Sequence, residues 1–262
     1  METPKITHQI WMQGWRELPE KFHENVEKLH EMNPEYTHMK WDAETLREQC
    51  KMFSQECLEK YESFEHLHSK VDFGRYVVLY NYGGISIDTD MAPLRSIKHT
   101  PHMNEHDFLI SEMSYPANLM GFKNNAVIIC APNNQVLKTG IERIINDKRT
   151  PKDFKAKEEY INETTGPIFI GRLVDEHKEK VKILSYKYYE PCSPKDPYCE
   201  IQDDSIMDHQ HELSWTSSTF KYLMWLFYFV LHNVRYVILA AILYGLYFMY
   251  KRVGKKFTKR TL

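Results

Sequence analysis

The chain has 262 residues with 34 Lys and Arg against 36 Asp and Glu, a formal net charge of −2, and a hydrophobic share of 42%. Near-neutrality of this kind gives no electrostatic footprint for a nucleic-acid partner, and none is expected. No internal repeat or low-complexity segment is present, which leaves about 220 residues ahead of an apolar tail, enough for one α/β core.

In chain order, a strand is expected near residues 5 to 11, an amphipathic helix near 19 to 32 and a strand near 36 to 41. Helices follow near 43 to 62 and 69 to 82, then a strand over 85 to 88. The second of these helices carries Val71, Val78, Leu79 and Tyr82 at roughly helical spacing. It stops at Gly83-Gly84, where glycine adopts a left-handed cap at little cost. Phe108-Leu109-Ile110 and Ala126 to Cys130 read as buried strands, and Asn133 to Asn146 reads as a helix with Val136, Leu137, Ile141, Ile144 and Ile145 apolar. Ile183-Leu184 and the Tyr186 to Tyr189 stretch read as a late strand that enters a loop rich in Pro and Cys. Alternation of this kind predicts a mainly parallel sheet with helices on both faces. Ligands of such sheets gather at the carboxyl ends of the strands, where Trp11, Asp88 and Asp90 fall.

Asp88-Thr89-Asp90 follows directly on the short strand Ile85-Ser86-Ile87. In an extended segment alternate side chains share a face, so Ser86, Asp88 and Asp90 are expected to project together and Ile85 and Ile87 to enter the core. Two presented carboxylates suit a hard cation that keeps positions open for substrate phosphates, and such a cation neutralises charge on a departing diphosphate. A bare D-x-D tripeptide is more often a turn element. Upstream, Asp72 and Arg75 stand three apart on one helical face, a spacing that by itself signals a surface ion pair worth roughly 0.2 to 0.5 kcal/mol.

Val71-Asp72-Phe73-Gly74-Arg75, Leu79-Tyr80, Tyr82-Gly83-Gly84-Ile85 and Asp88-Thr89-Asp90 together resemble the DXD-containing sugar-binding region of a glycosyltransferase family. That family, glycosyltransferase family 32, includes yeast α-1,6-mannosyltransferases, inositolphosphoceramide mannosyltransferases and, more distantly, the clostridial glucosylating toxins. The resemblance extends from Pro4 to Trp215: Pro4 to Trp11, Asn33-Pro34-Glu35-Tyr36, Lys40-Trp41-Asp42, Asn125-Ala126, Thr165-Gly166-Pro167 and His209 to Trp215 occur in the family's order. It implies a GT-A-like fold and roles for single residues. Trp11 would stack on the nucleobase, its flat face suited to the task. Asp72 and Arg75 would grip donor sugar hydroxyls, one as acceptor and the other as a rigid donor fork, and Asn125 would join them in substrate binding. Asp88 would sit near the ribose and the metal, and Asp90 would ligate the metal directly, Mn2+ or Mg2+. In the last block His209 and His211 are split by Gln210, a departure from the family's paired histidines. His209 keeps the family spacing to Trp215 and is the preferred metal ligand, while Ser214 and Trp215 would close over the diphosphate.

The five cysteines, Cys50, Cys57, Cys130, Cys192 and Cys199, lack the C-x-x-C spacing of a zinc site. A Cys192–Cys199 bridge across Pro194 and Pro197 and five free thiols are both compatible with the sequence. Asn162-Glu163-Thr164 is a formal glycosylation acceptor.

Beyond Trp215 the composition shifts. Tyr222 to Leu231 is apolar and aromatic, His232, Asn233 and Arg235 interrupt, and Tyr236 to Tyr250 is apolar again. A membrane span over 231–250 is expected, with Arg235 at one interface and Tyr222 to Val230 lying along it. The domain reading is thus a GT-A-like catalytic domain over 1–219, a membrane-associated segment over 220–250 and a basic tail over 251–262. Lys251, Arg252, Lys255, Lys256, Lys259 and Arg260 form that tail; without them 28 basic residues face 36 acidic ones, near −8. A basic cluster beside a span favours the cytoplasmic side, which would put the catalytic domain in a lumen. Met1 to Ile10, with no signal-peptide apolar region, favours the cytosol.

The functional expectation is a metal-dependent glycosyltransferase, retaining as the resemblance implies, that moves a hexose from a nucleotide diphosphate sugar to a membrane-associated lipid or glycan acceptor. Two other classes stand behind it. An aspartyl-phosphate phosphatase would use Asp88 as nucleophile but leaves Asp72, Arg75 and the Ser214-Trp215 block without a role. A non-catalytic, membrane-anchored nucleotide-sugar binding protein would keep the fold and lose turnover.

Overall fold

Short apolar runs rich in β-branched residues pair into a six-stranded sheet, seen in a computed structural model that describes residues 3–115, 117–194, 199–212 and 217–258. The chain divides into two units, residues 1–193 with 198–216 and residues 194–197 with 217–262. In the first unit the strands are β1 (Ile6–Ile10), β2 (Thr37–Trp41), β3 (Gly84–Ile87), β5 (Phe108–Glu112), β6 (Lys123–Cys130) and β7 (Lys182–Leu184). Their order is β2-β1-β3-β6-β5-β7. Only β6 runs against the others, pairing antiparallel with β3 and β5, so the sheet is mainly parallel as predicted. β4 (Met91–Pro93) and β8 (Met207–His209) form a separate antiparallel pair.

The pleat sorts the core. Phe108, Ile110, Ile128 and Cys130 face one side, with residues of α2 (Ala43–Phe53), α3 (Gln55–Ser63), α4 (Leu67–Tyr82), α5 (Gln135–Asn146) and α7 (Pro167–Glu176). Ile85, Ile87, Leu109, Val127 and Ile129 face the other, against Leu29 of α1 (Glu20–Met32), Ile97, Tyr189 and Met207. A short α6 (Lys157–Thr164) precedes α7.

Three expectations need correction. The single helix over 43–62 is two, because Ser54 leaves helical geometry and caps α3 by accepting from the Cys57 amide at 3.1 Å. The helix expected from Asn133 starts at Gln135, since Asn133 has φ +58° and Asn134 caps the helix through the Val136 and Leu137 amides. Tyr186–Tyr188 is a 3-10 turn, so the late strand ends at Leu184.

The Gly83-Gly84 turn fixes how α4 hands the chain to β3. His8, on the adjacent strand, is buried and donates its Nε2 hydrogen to the Gly83 carbonyl at 2.7 Å, while its Nδ1 accepts from Trp41 at 3.1 Å. Burial lowers its pKa to about 4, keeping the ring neutral. A Cβ at Gly84, where φ is +98°, would lie 2.5 Å from the Ile6 carbonyl oxygen. Gly84→Ala is therefore expected to cost roughly 3 kcal/mol through combined strain and overlap. A urea melt with an unchanged midpoint would contradict this.

The second unit holds α8 (Ser218–His232) and α9 (Val234–Thr258). The helix breaks at Asn233, so the span expected over 231–250 crosses a helix boundary, and the apolar window is Val234–Lys251, with no share of it buried. Its 18 residues reach about 27 Å as a helix, long and apolar enough to cross a membrane. Ile238, Leu243, Leu246 and Phe248 are all about half exposed, and in α8 the Trp225 ring is tilted against Tyr222 and stacked on Phe229.

Candidate active site at the carboxyl edge of the sheet

Parallel strands place their carboxyl ends at one edge, and the register decides what meets there. Pairing of Thr7 with Ile85 and His8 with Ser86 puts the end of β1, which Trp11 follows, at the same edge as the end of β3, which Asp88 and Thr89 follow. Because β6 is reversed, its beginning lies at the same edge: Ile87 pairs with Val127, which sets Asn125 next to the Asp88 turn.

Asp72 and Arg75 enter this edge from α4 and are buried. They do not form the surface pair that their spacing alone suggests. The Arg75 guanidinium, 2% exposed, donates to Asp88 Oδ1 and to the Asn125 carbonyl. Asp72 accepts from Asn125 Nδ2 at 3.0 Å and from Thr165 Oγ1 at 3.4 Å. Asn125 thus spans both helix residues, and Asp72, Arg75, Asp88 and Asn125 make one cluster. Burial pushes the Asp72 carboxyl up to about 7, against the pull of Arg75. Asp88 is raised to about 6 by desolvation, with Arg75 opposing and Asp90 adding repulsion, though 35% of its side chain remains exposed.

Strand alternation does not continue through the D-x-D motif. Ser86 is buried and Asp88-Thr89-Asp90 is a turn, closed by the Met91 amide on the Asp88 carbonyl at 3.2 Å. Asn25 of α1 clamps it, donating to the Thr89 carbonyl at 3.0 Å and to Gln210 at 3.2 Å. Asp90 is delivered by the small sheet, in which Met91 pairs with His209. Its backbone carbonyl accepts from the Gln210 amide, and its Oδ2 accepts from the Glu212 amide at 3.1 Å and lies 3.4 Å from His209 Nε2. Burial alone would raise the Asp90 carboxyl, but His209 and the Glu212 amide hold it below the usual range. His209 is the mirror case: burial would lower it, yet Asp90 and Glu190 hold it well above an ordinary imidazole.

Glu190, His209 and His211 present ligand atoms within 4.8 Å of one another. A carboxylate oxygen beside an imidazole nitrogen, as at Asp90 and His209, is a donor set that fits manganese. Glu190 and Asn25 were not singled out from the sequence; an isolated acid between Tyr189 and Pro191, and an Asn inside an amphipathic helix, carry no motif. His211 has φ +51° and faces the Cys192 carbonyl at 3.0 Å.

Trp11 lies 5.7 Å from the Phe22 ring, and its indole nitrogen is buried without a hydrogen-bond partner among the described residues. Ser214 and Trp215 lie outside the described residues.

Cys192 and Cys199 form a disulfide, and Cys50, Cys57 and Cys130 are free and buried. The bridge closes the segment that runs on from Glu190. Its removal in Cys192→Ser/Cys199→Ser is expected to cost about 2 kcal/mol, read as a lowered melting temperature matched by reductant treatment of the parent. An unmoved melting temperature would contradict this.

Residues 19–109 match the model of the family described as the glycosyltransferase sugar-binding region containing DXD motif. An uncharacterized glycosyltransferase of Acanthamoeba polyphaga mimivirus is 27% identical over 226 residues, covering 81% of this chain and 83% of that protein. Inositol phosphoceramide mannosyltransferase 3 of Schizosaccharomyces pombe is 31% identical over 119 residues, 45% of this chain, and the match spans 33% of that protein's length. Among solved structures, the UDP-bound glycosyltransferase domain from the YGT toxin aligns with a TM-score of 0.48 at 11% identity, covering 83% of this chain and 82% of the toxin domain.

Proposed function

The chain belongs to a DXD-motif glycosyltransferase superfamily, and from that premise we propose that it is a metal-dependent, retaining hexosyltransferase acting on a membrane-associated lipid or glycan acceptor. The observation that carries the reading is the convergence of Asp72, Arg75, Asp88 and Asn125 with Asp90 and His209 at one sheet edge. Asp90 and His209 would hold a divalent cation, Mn2+ or Mg2+, with Asp88 beside it. When bound, that cation supplies positive charge against the departing nucleoside diphosphate.

The chain's own groups have separable tasks. Arg75 holds Asp88 in place and neutralises it, which speaks against Asp88 as an attacking nucleophile and so against a phosphatase. Asp72, with its acceptor oxygens turned to Asn125 and Thr165, is braced to take a sugar hydroxyl. The face of Trp11 is the proposed stacking surface for the nucleobase. Ser214 and Trp215 are proposed to cover the diphosphate. Asp72, Asp88 and Asp90 each accept from a neighbouring donor, so we favour departure of the diphosphate and attack by the acceptor on the same face.

Similarity to the inositol phosphoceramide enzyme supports mannose as the hexose and a lipid acceptor. The exposed apolar helix α9 supports a single crossing of the membrane, α8 an aromatic belt at its surface, and the residues after Tyr250 a cytoplasmic basic tail. Calorimetry of the detergent-solubilised chain with a panel of guanosine and uridine diphosphate sugars, with and without Mn2+, tests the donor reading. One donor is expected to bind only with the cation; failure of every donor to bind would refute the reading.

A further inference from the structure

The His209 ring stands between two carboxylates that differ in kind. Asp90 Oδ2 is 3.4 Å from Nε2 on a side chain 15% exposed, and Glu190 Oε2 is 3.5 Å from Nδ1 on a side chain with no exposure. Glu190 is held from behind: its Oε1 accepts from the Ser114 amide at 3.1 Å and the Ser114 hydroxyl at 2.9 Å, and its own amide donates to the Tyr186 carbonyl at 2.8 Å. Ser114 follows β5 and so belongs to the carboxyl edge of the sheet.

We propose that Glu190 is a positioning residue that takes the Nδ1 hydrogen of His209, so that the Nε2 lone pair faces the cation together with Asp90. The inference rests on the metal reading proposed above. An ionised carboxylate has no hydrogen to give, so Nδ1 keeps its hydrogen pointed at Glu190, and a cation at Asp90 would take the place of the Nε2 hydrogen, leaving that nitrogen to ligate. Metal-bound imidazoles are commonly oriented in this way by a second acceptor. Direct ligation by Glu190 is disfavoured, since both of its oxygens are engaged and it is fully buried. His211 gives its Nε2 hydrogen to the Cys192 carbonyl at 3.0 Å, with Glu190 Oε1 at 4.0 Å, so that nitrogen is not available as a ligand atom. Glu190 and Cys192, two residues apart, thus orient one histidine each.

Mn2+ alone is titrated into the metal-free full chain in detergent and the free aquo-ion is followed by electron paramagnetic resonance. Glu190→Gln, which has one acceptor oxygen in place of two, is expected to weaken Mn2+ binding roughly 10- to 100-fold. His209→Ala is expected to match it, and the double variant to lose little more, because the two act through one ligand. Glu190→Asp keeps the buried charge but withdraws it from Nδ1, and gives the same loss if the Gln variant does not fold. Losses from Glu190→Gln and His209→Ala that simply add, or parental binding in either Glu190 variant, would overturn the assignment. Parental binding in Asp90→Ala would instead sink the underlying metal reading, so the two failures are distinguishable.

Discussion

Asp90→Ala is expected to abolish most manganese-dependent turnover of the nucleotide sugar, by roughly 10^2- to 10^3-fold in kcat, the usual loss for a main electrostatic contact of the transition state. The Asp90 backbone carbonyl takes the Gln210 amide and its side chain takes the Glu212 amide and faces His209, so alanine removes the proposed ligand and leaves the backbone contact in place. The loss should fall on kcat at saturating donor, together with a lowered melting temperature of the metal-free protein, because Asp90 is a counter-charge of His209 and takes the Glu212 amide. Asp90→Asn preserves shape but not charge and should resemble the alanine variant. Equal turnover by parent and variant, measured as released nucleoside diphosphate, would remove Asp90 from the metal site.

The second large effect is on stability. Arg75→Met leaves Asp88 Oδ1 and the Asn125 carbonyl without their donor in a buried setting and strands two acids near each other. Breaking a buried pair from one side costs about 3 to 5 kcal/mol, and the exposure of Asp88 places this case toward the lower end. The sign with pH is fixed by the acids. Asp72 and Asp88 have raised values, about 7 and about 6, so each costs stability as pH rises through its value and relieves it as pH falls. The gap between parent and variant in urea midpoint should therefore narrow on acidification through that window. A gap that is constant or widens there would contradict the assignment of the loss to unpaired carboxylates.

The sheet was legible because its signals are local. Ile85, Ile87 and Val127 to Ile129 are apolar runs bounded by turn residues, and Gly83-Gly84 marks a helix end that only glycine fits. The grouping of Asp72, Arg75, Asp88 and Asn125 was legible only through motif order, since the Asp72 and Arg75 spacing suggests only a surface pair. The bond from Arg75 across to Asp88 and Asn125 depends on three elements meeting, which no local pattern encodes. Ser54 splits a helix that periodicity carries through, because a capping hydroxyl outweighs the surrounding pattern. Glu190 was invisible for a similar reason. Its role comes from Ser114 and His209, 76 and 19 residues away.

The central claim is that a cation held by Asp90 and His209 anchors a nucleoside diphosphate beside Asp88. Anomalous diffraction at the manganese edge, from crystals grown with Mn2+ and a nucleoside diphosphate, reads this directly. One peak is predicted at ligand distance from an Asp90 oxygen and His209 Nε2, touching the diphosphate. A manganese peak on the diphosphate but away from both side chains would contradict the account.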